Sequence, residues 1–251
     1  MKTTRITLTP RRSSLPVFLN IRPLTTDEKV IDEVLRRAAY EKPRLGFLIE
    51  PGDRWLDLGA NIGTFVLLCM VRGAASVTAY EPEPENMGLL QENIRLNARQ
   101  FPDTKVRVEE AAVGAKAGTM PLFLCGGEYN KYRHSLVLRK RGGRKIDVPV
   151  LAFRDVIRDF GYDGFDGYDG IKMDIEGAEI EILETMKPSW LKKIRKLVLE
   201  YSFDVDASIP RFMKIIEKLR GIFPNVKFDK VKTNDAEYRF FPMCTMVYCW
   251  K

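Results

Sequence analysis

Two short stretches hold residues whose types and spacing could do chemistry. The first, D-L-G-A-N-I-G-T-F over residues 57–65, follows an apolar run and leads into a helical one. Glycine accepts a positive φ and lets a ligand approach the backbone with no Cβ in the way. Gly59 therefore shapes a cofactor cradle, and Gly63 is expected to let the helix start pack tightly on the strand. A dinucleotide turn carries glycine at three positions of G-x-G-x-x-G. Those positions hold Gly59, Asn61 and Thr64, which argues against a pyrophosphate-bearing cofactor. The loop also lacks the Gly-Lys-Ser/Thr ending of a nucleoside-triphosphate loop. Asp57, just ahead of the glycine, suits a ligand with a cationic amine. Glu81 ends the next apolar run in A-Y-E-P, where a carboxylate can accept hydrogen bonds from both hydroxyls of a ribose. Amine plus ribose points to S-adenosylmethionine. The plainer reading is that both acids only cap helices.

The second stretch is K-M-D-I-E-G, residues 172–177. Along a strand Lys172, Asp174 and Glu176 would share one face, because side chains alternate with period two. Three ionisable groups on one face of an apolar strand are costly unless used or paired. Methyl transfer from a sulfonium is an in-line displacement, and were the acceptor an alcohol it would be a poor nucleophile until its proton is removed or shared. Asp174 is expected to take or orient that proton, Lys172 to tune its charge, and Glu176 to hold the turn or the substrate. The alternative is a Lys172–Asp174 salt bridge that merely ends the strand. Glu200, closing L-V-L-E, could border the substrate or sit at the core edge. A divalent metal would need Asp174, Glu176 and Glu200 to converge without any histidine, and no metal is assigned.

These stretches must be positioned by alternating elements. Strand-like runs fall at 54–58, 76–80, 105–109, 169–175 and 196–201. Helical spacing fills 63–72, 84–98 and 178–187, with Pro84 early in the second helix. Such βα alternation means an α/β fold with a mainly parallel sheet and helices on both faces. Upstream, Thr25 and Glu28 stand at capping-box spacing before a helix with Val30, Ile31, Val34, Leu35 and Ala38 on one face. Downstream, 119–124 and 147–150 read as strands. Ser208 caps a helix ended by Gly221, and an apolar run from Met243 to Trp250 reads as a strand. The triple Y-D-G, F-D-G, Y-D-G at 162–170 reads as a tight loop, with a calcium site of Asp163, Asp166 and Asp169 as the rival reading.

Between the two later strands, residues 125–146 form the most basic segment: Lys131, Arg133, His134, Arg139, Lys140, Arg141, Arg144 and Lys145 against the single acid Glu128. Its length suggests a lid that contacts an anionic group through residues such as Arg133, or else a solvated flap. His134 is the only histidine and so a candidate base or substrate contact. The 251 residues, 45% hydrophobic and 30% charged, exclude a disordered chain. The longest apolar run, 62–71, is half of what a bilayer span needs. The net charge of +7 permits an anionic partner without requiring one. Cys69, Cys125, Cys244 and Cys249 form no C-x-x-C pair, so they read as reduced thiols of a cytoplasmic protein and not as zinc ligands. Residues 1–24 read as a basic arm, conceivably a targeting segment, ahead of one domain over 25–251.

At this point the residues resemble the FkbM-type methyltransferases. D-L-G-A-N-I-G-T-F at 57 is followed by E-P-E-P-E-N-M-G-L-L-Q-E-N-I-R-L-N at 81, E-A-A-V-G at 110, V-P-V-L-A-F-R-D-V at 148 and I-K-M-D-I-E-G-A-E-I-E-I-L at 171. The resemblance covers about residues 20–200. It implies the class I Rossmann-like methyltransferase fold, with seven strands of which the last is antiparallel. It further implies S-adenosylmethionine at the C-terminal ends of the first two sheet strands, and methylation of an oxygen, often on a sugar or natural product. The cofactor set becomes Asp57, Gly59, Ala60, Asn61, Gly63 and Thr64 on the turn, Glu81 and Pro82 after the next strand, and Glu110, Ala111 and Ala112 after the third. Ser135 stands where the family pattern often has a serine and joins Arg133 and Glu200 as a substrate candidate. The expected function is O-methylation of a carbohydrate or other small polyol. The rivals are ribose 2′-O-methylation of RNA, suggested by the basic loop and by Lys192, Lys193, Arg195 and Lys196, and a non-catalytic module that keeps the cofactor fold.

Overall fold

The computed structural model describes residues 2–124, 135–137, 144–158, 168–203, 208–229 and 244–251. The chain opens with β1 (Thr4–Leu8) and β2 (Val17–Ile21), an antiparallel pair. Thr4–Leu8 and Val17–Ile21, within the segment expected as an arm, are therefore a β-pair held against the molecule. Val17, Leu19 and Ile21 alternate inward and are buried. Asn93 and Asn97 of the helix at 84–97 accept the backbone N–H groups of Asn20 and Phe18 at 2.7 and 3.0 Å. Phe18, between Val17 and Leu19, leaves no polar contrast to mark this period-two pattern in the sequence. Helix α1 (Asp27–Ile31) runs into a π-helical turn at Asp32–Arg36 and presents Ile31, Val34 and Leu35 inward. The capping box does not form. Thr25 Oγ1 instead accepts from Asp27 N at 3.2 Å and donates to the Arg22 carbonyl at 2.8 Å, a local turn in place of a helix cap.

Next come β3 (Arg54–Leu58), α2 (Thr64–Val71), β4 (Ser76–Tyr80), α3 (Pro84–Asn97) and β5 (Lys105–Glu109). A side sheet follows, built from β6 (Ala112–Gly114), β7 (Gly118–Phe123) and β8 (Lys145–Ala152) in the order β6-β8-β7. After α4 (Phe153–Arg158) the main sheet resumes with β9 (Gly170–Met173), α5 (Ala178–Thr185) and β10 (Lys196–Ser202). It closes with α6 (Ile209–Arg220), β11 (Asn225–Phe228) and β12 (Cys244–Trp250). The seven strands lie in the order β11-β12-β10-β9-β3-β4-β5. β3, β4, β5, β9 and β10 are parallel, and β12 runs antiparallel to both of its neighbours.

Alternate residues of the parallel strands feed two cores. Leu56, Leu58, Ile171, Met173, Leu197 and Leu199 pack with α4, α5 and α6. Trp55, Val77, Ala79 and Val198 pack with β2, α1, α2 and α3. Burial on both faces is why these strands read as nearly continuous apolar runs. At the N-terminal ends of the strands, Asp169 pairs with Arg54 and Arg195, and Asp53 pairs with Arg195 and Lys196. Asp169 is thus an ion-pair partner in the sheet base and not a calcium ligand; Asp163 and Asp166 lie outside the described residues.

Candidate active site

The glycine turn sits at the C-terminal end of β3, where the open edge of a parallel sheet leaves a crevice. Gly59, Asn61 and Gly63 have φ of 81°, 52° and 90°. Gly59 and Ala60 both donate their N–H to the Tyr80 carbonyl at 3.0 Å, which pins the turn to β4. A Cβ on Gly59 would lie 1.9 Å from the Asp174 carbonyl oxygen, so only glycine lets the two loops touch. At Gly63 the close neighbour is Leu90 of α3, whose Cδ1 would be 2.7 Å from a Cβ. Its tight packing is therefore on a helix, and not on the strand as expected, because the turn carries the start of α2 across to α3.

Asp57 and Lys172 are register partners on adjacent parallel strands and so share a face. Both are buried. Lys172 Nζ lies 3.0 Å from Asp57 Oδ1 and donates to the Gly59 carbonyl at 2.6 Å. Burial opposes the ammonium charge, but the Asp57 and Asp174 carboxylates outweigh it and hold the lysine above its ordinary range. Burial raises Asp57 against the pull of Lys172. The cationic amine that Asp57 was expected to seek in a ligand is thus supplied by the chain itself, and the salt bridge of Lys172 is to Asp57 and not to Asp174.

Glu81 is buried at the end of β4. Its Oε2 accepts from Asn61 N at 2.8 Å and its Oε1 from Glu83 N at 3.0 Å, tying the glycine turn to the start of α3. Desolvation raises its carboxyl to about 7 despite those bonds. It is no helix cap; Glu83 caps α3, accepting from Asn86 N at 2.7 Å. Pro82 is partly exposed beside it, Thr64 begins α2 and is buried, and after β5 Glu110 is exposed while Ala111 and Ala112 are buried.

β9 ends at Met173, so period two does not extend to Glu176. That residue sits at φ 51° in the turn before α5, and its carbonyl accepts from Ser135 Oγ at 2.5 Å. Ser135 is buried and bridged to Phe123, so its hydroxyl serves the turn instead of facing an acceptor. Asp174 is half-buried just past the strand end. Its N–H donates to the Leu58 carbonyl at 3.0 Å and its Oδ2 accepts from the Tyr40 hydroxyl at 2.7 Å. Among the described residues Oδ1 has no hydrogen-bond partner, and no three His, Cys, Asp or Glu residues lie close enough to hold a metal ion. Glu200 lies on the face of Val198, the register partner of Lys172, and its charge reaches Tyr40 and Tyr248. His134 and Arg133 lie outside the described residues.

Two site residues escape sequence reasoning. Tyr40 lies in a loop after α1, where no periodicity marks it. Glu179 is wholly buried at the start of α5. Its carboxylate accepts from Gly177 N at 2.7 Å and Ser202 N at 2.9 Å, and desolvation raises it to about 8. Its signal in the sequence is an acid set among Ala178, Ile180 and Ile182.

This strand order, with one antiparallel strand and a glycine turn at the C-terminal end of β3, defines a class I methyltransferase. The chain belongs to the FkbM methyltransferase family: the family model described as "Methyltransferase FkbM domain" matches residues 57–227. It is 30% identical over 171 residues to "Methyltransferase sdnD" of Sordaria araneosa, covering 58% of this chain and 64% of that protein. It is 25% identical over 206 residues to "31-O-demethyl-FK506 methyltransferase FkbM" of Streptomyces tacrolimicus, covering 71% and 75%. A crystal structure of methyltransferase FkbM from Methylobacillus flagellatus matches with a TM-score of 0.50 at 20% identity, over 84% of this chain and 49% of that one. The match thus spans less than two thirds of sdnD and about half of the crystallised chain. S-adenosylmethionine is the cofactor of this class. The site has features that suit it: Asn61 Oδ1 is a buried acceptor without a partner among the described residues, beside a carboxylate at the strand end.

Proposed function

We propose that the chain transfers a methyl group from S-adenosylmethionine to a hydroxyl oxygen of a sugar or other small polyol, including natural-product scaffolds. The observation that carries the oxygen assignment is Asp174: its backbone carbonyl packs against Gly59 of the cofactor turn, and its half-buried carboxylate has one oxygen engaged by Tyr40 and the other open. When bound, the cofactor supplies an electrophilic methyl on a sulfonium. In this reading Gly59, Ala60, Asn61, Gly63 and Thr64 cradle it, Asn61 Oδ1 accepts one of its donors, and Glu81 meets the ribose hydroxyls beside Pro82 and Glu110. Ala111 and Ala112 form the buried floor. Asp57 acts through Lys172, which holds the Gly59 carbonyl and so sets the turn. Asp174 accepts the acceptor's proton as the new bond to oxygen forms and the methyl–sulfur bond breaks, and Glu200 borders the acceptor. The name of the FK506 relative states methylation at an oxygen, which supports the same direction.

The RNA reading loses its structural support in one respect. Lys192, Lys193, Arg195 and Lys196 lie at the N-terminal end of β10, the far end of the sheet from the glycine turn, with Arg195 and Lys196 paired to Asp53. Purified protein with methyl-labelled S-adenosylmethionine, incubated with pools of sugars, polyketides and RNA, tests the proposal. Label appearing in RNA alone would overturn it, and failure to bind the cofactor by calorimetry would favour a non-catalytic module.

A further inference from the structure

We propose that Tyr40 is the positioning residue of this site: its hydroxyl holds Asp174 Oδ2, leaving Oδ1 as the oxygen that meets the acceptor hydroxyl. The inference rests on Asp174 acting as the base. A lone carboxylate has two equivalent oxygens and turns about its Cβ–Cγ bond, so a base of defined direction needs one oxygen held. The Tyr40 hydroxyl does this at 2.7 Å. The ring itself is fixed. It meets Phe65 edge-on at 5.4 Å, and Lys172 Nζ lies 5.6 Å from its centroid. The backbone beside it is also held, because Tyr248 donates to the Ala39 carbonyl at 2.7 Å.

The phenol is buried and surrounded by Asp174, Glu200 and Asp57, so it stays protonated and can only donate to the carboxylate. Tyr40 precedes the residues matched by the family model, so this contact joins the N-terminal lead-in to the matched domain. The other charged groups coupled to Asp174 are Lys172, on the strand it follows, and Asp57 on β3, while Glu200 on β10 acts on Tyr40. They are common to all variants below, so a difference between variants isolates the hydroxyl.

The test is a carbon-13 NMR titration of the Asp174 side-chain carboxyl in the full chain, assigned by its disappearance in Asp174→Asn. In Tyr40→Phe, which keeps the ring, the proton affinity of Asp174 should rise about ten- to a hundredfold, as expected on losing a hydrogen bond to a charged acceptor. Affinity for S-adenosylmethionine should stay within about twofold. Incorporating 3-fluorotyrosine at position 40, a stronger donor that keeps the packing, should move the titration the opposite way. An unmoved Asp174 titration in both variants, or a loss of cofactor binding that parallels the shift, overturns the inference. Methyl transfer surviving in Asp174→Asn is a different failure, since it removes the base assignment itself.

Discussion

Asp57 and Lys172 face each other across β3 and β9, with Nζ 3.0 Å from Oδ1 and both side chains shut off from water. The ammonium also holds the Gly59 carbonyl, so a charge pair inside the sheet is coupled to the shape of the turn above it. Removing one member leaves the other charged and unpaired. Lys172→Met should cost about 3–5 kcal/mol, and pairing it with Asp57→Asn should recover part of the loss. Urea unfolding of the two single variants and the double variant measures this; strict additivity would show that the pair is not coupled.

Gly59→Ala should be among the most damaging single changes. The new methyl would overlap the Asp174 carbonyl, at a φ that L-residues avoid. A loss of roughly 3 kcal/mol together with cofactor binding is expected, read by thermal unfolding and calorimetry. Near wild-type affinity would mean that the turn is not the cradle.

Asp174→Asn preserves the hydrogen bond from Tyr40 through its amide oxygen but removes the proton acceptor. Cofactor affinity should be retained while turnover falls about 10²–10⁴-fold. Single-turnover transfer of labelled methyl distinguishes this from slowed product release.

Glu81 titrates at about 7 in the free protein, and its ionised form is the better acceptor for two hydroxyls. Cofactor affinity should therefore rise as pH goes from 6 to 8, with proton release on binding. In Glu81→Gln the affinity should be weaker and flat with pH.

Glu179 binds protons more tightly in the folded chain, at about 8, than in the unfolded chain, near 4.5. Between those values the native state holds more protons, so this group's contribution to stability is complete below 4.5 and falls as pH rises through about 8. In Glu179→Gln that slope should disappear. The variant should also be less stable by about 1–3 kcal/mol at pH 5, because an amide NH₂ would face one of the two backbone donors it replaces an acceptor for. Denaturation midpoints at pH 5, 6.5 and 8 measure both effects.

The main sheet was readable because burial on both faces writes long apolar runs, and helices between them write a different period. Arg54–Leu58, Ser76–Tyr80 and Lys105–Glu109 coincide with the expected strands. β1 and β2 were missed because each has only five residues, and in β2 Phe18 stands between the buried Val17 and Leu19, so no polar residue marks the alternation there. The strand expected over 169–175 stops two residues early, at Met173. The Glu176-Gly177 pair takes left-handed backbone there, which ends the alternation at Met173 and turns Glu176 toward Ser135.

Local chemistry is what the chain announces on its own: glycines where backbone must come close, an acid at the end of each strand that faces the crevice, a period that separates strand from helix. Each of these depends on neighbours within a few residues. Which charges meet is decided otherwise. Asp57 finds Lys172 at a separation of 115 positions, and Asp174 finds Tyr40 at 134, only after strand register and the docking of α1 have brought them together. No local pattern encodes such a meeting. In a buried sheet every ionisable group must still find a partner, so the register that places them also decides which oxygen is left for chemistry.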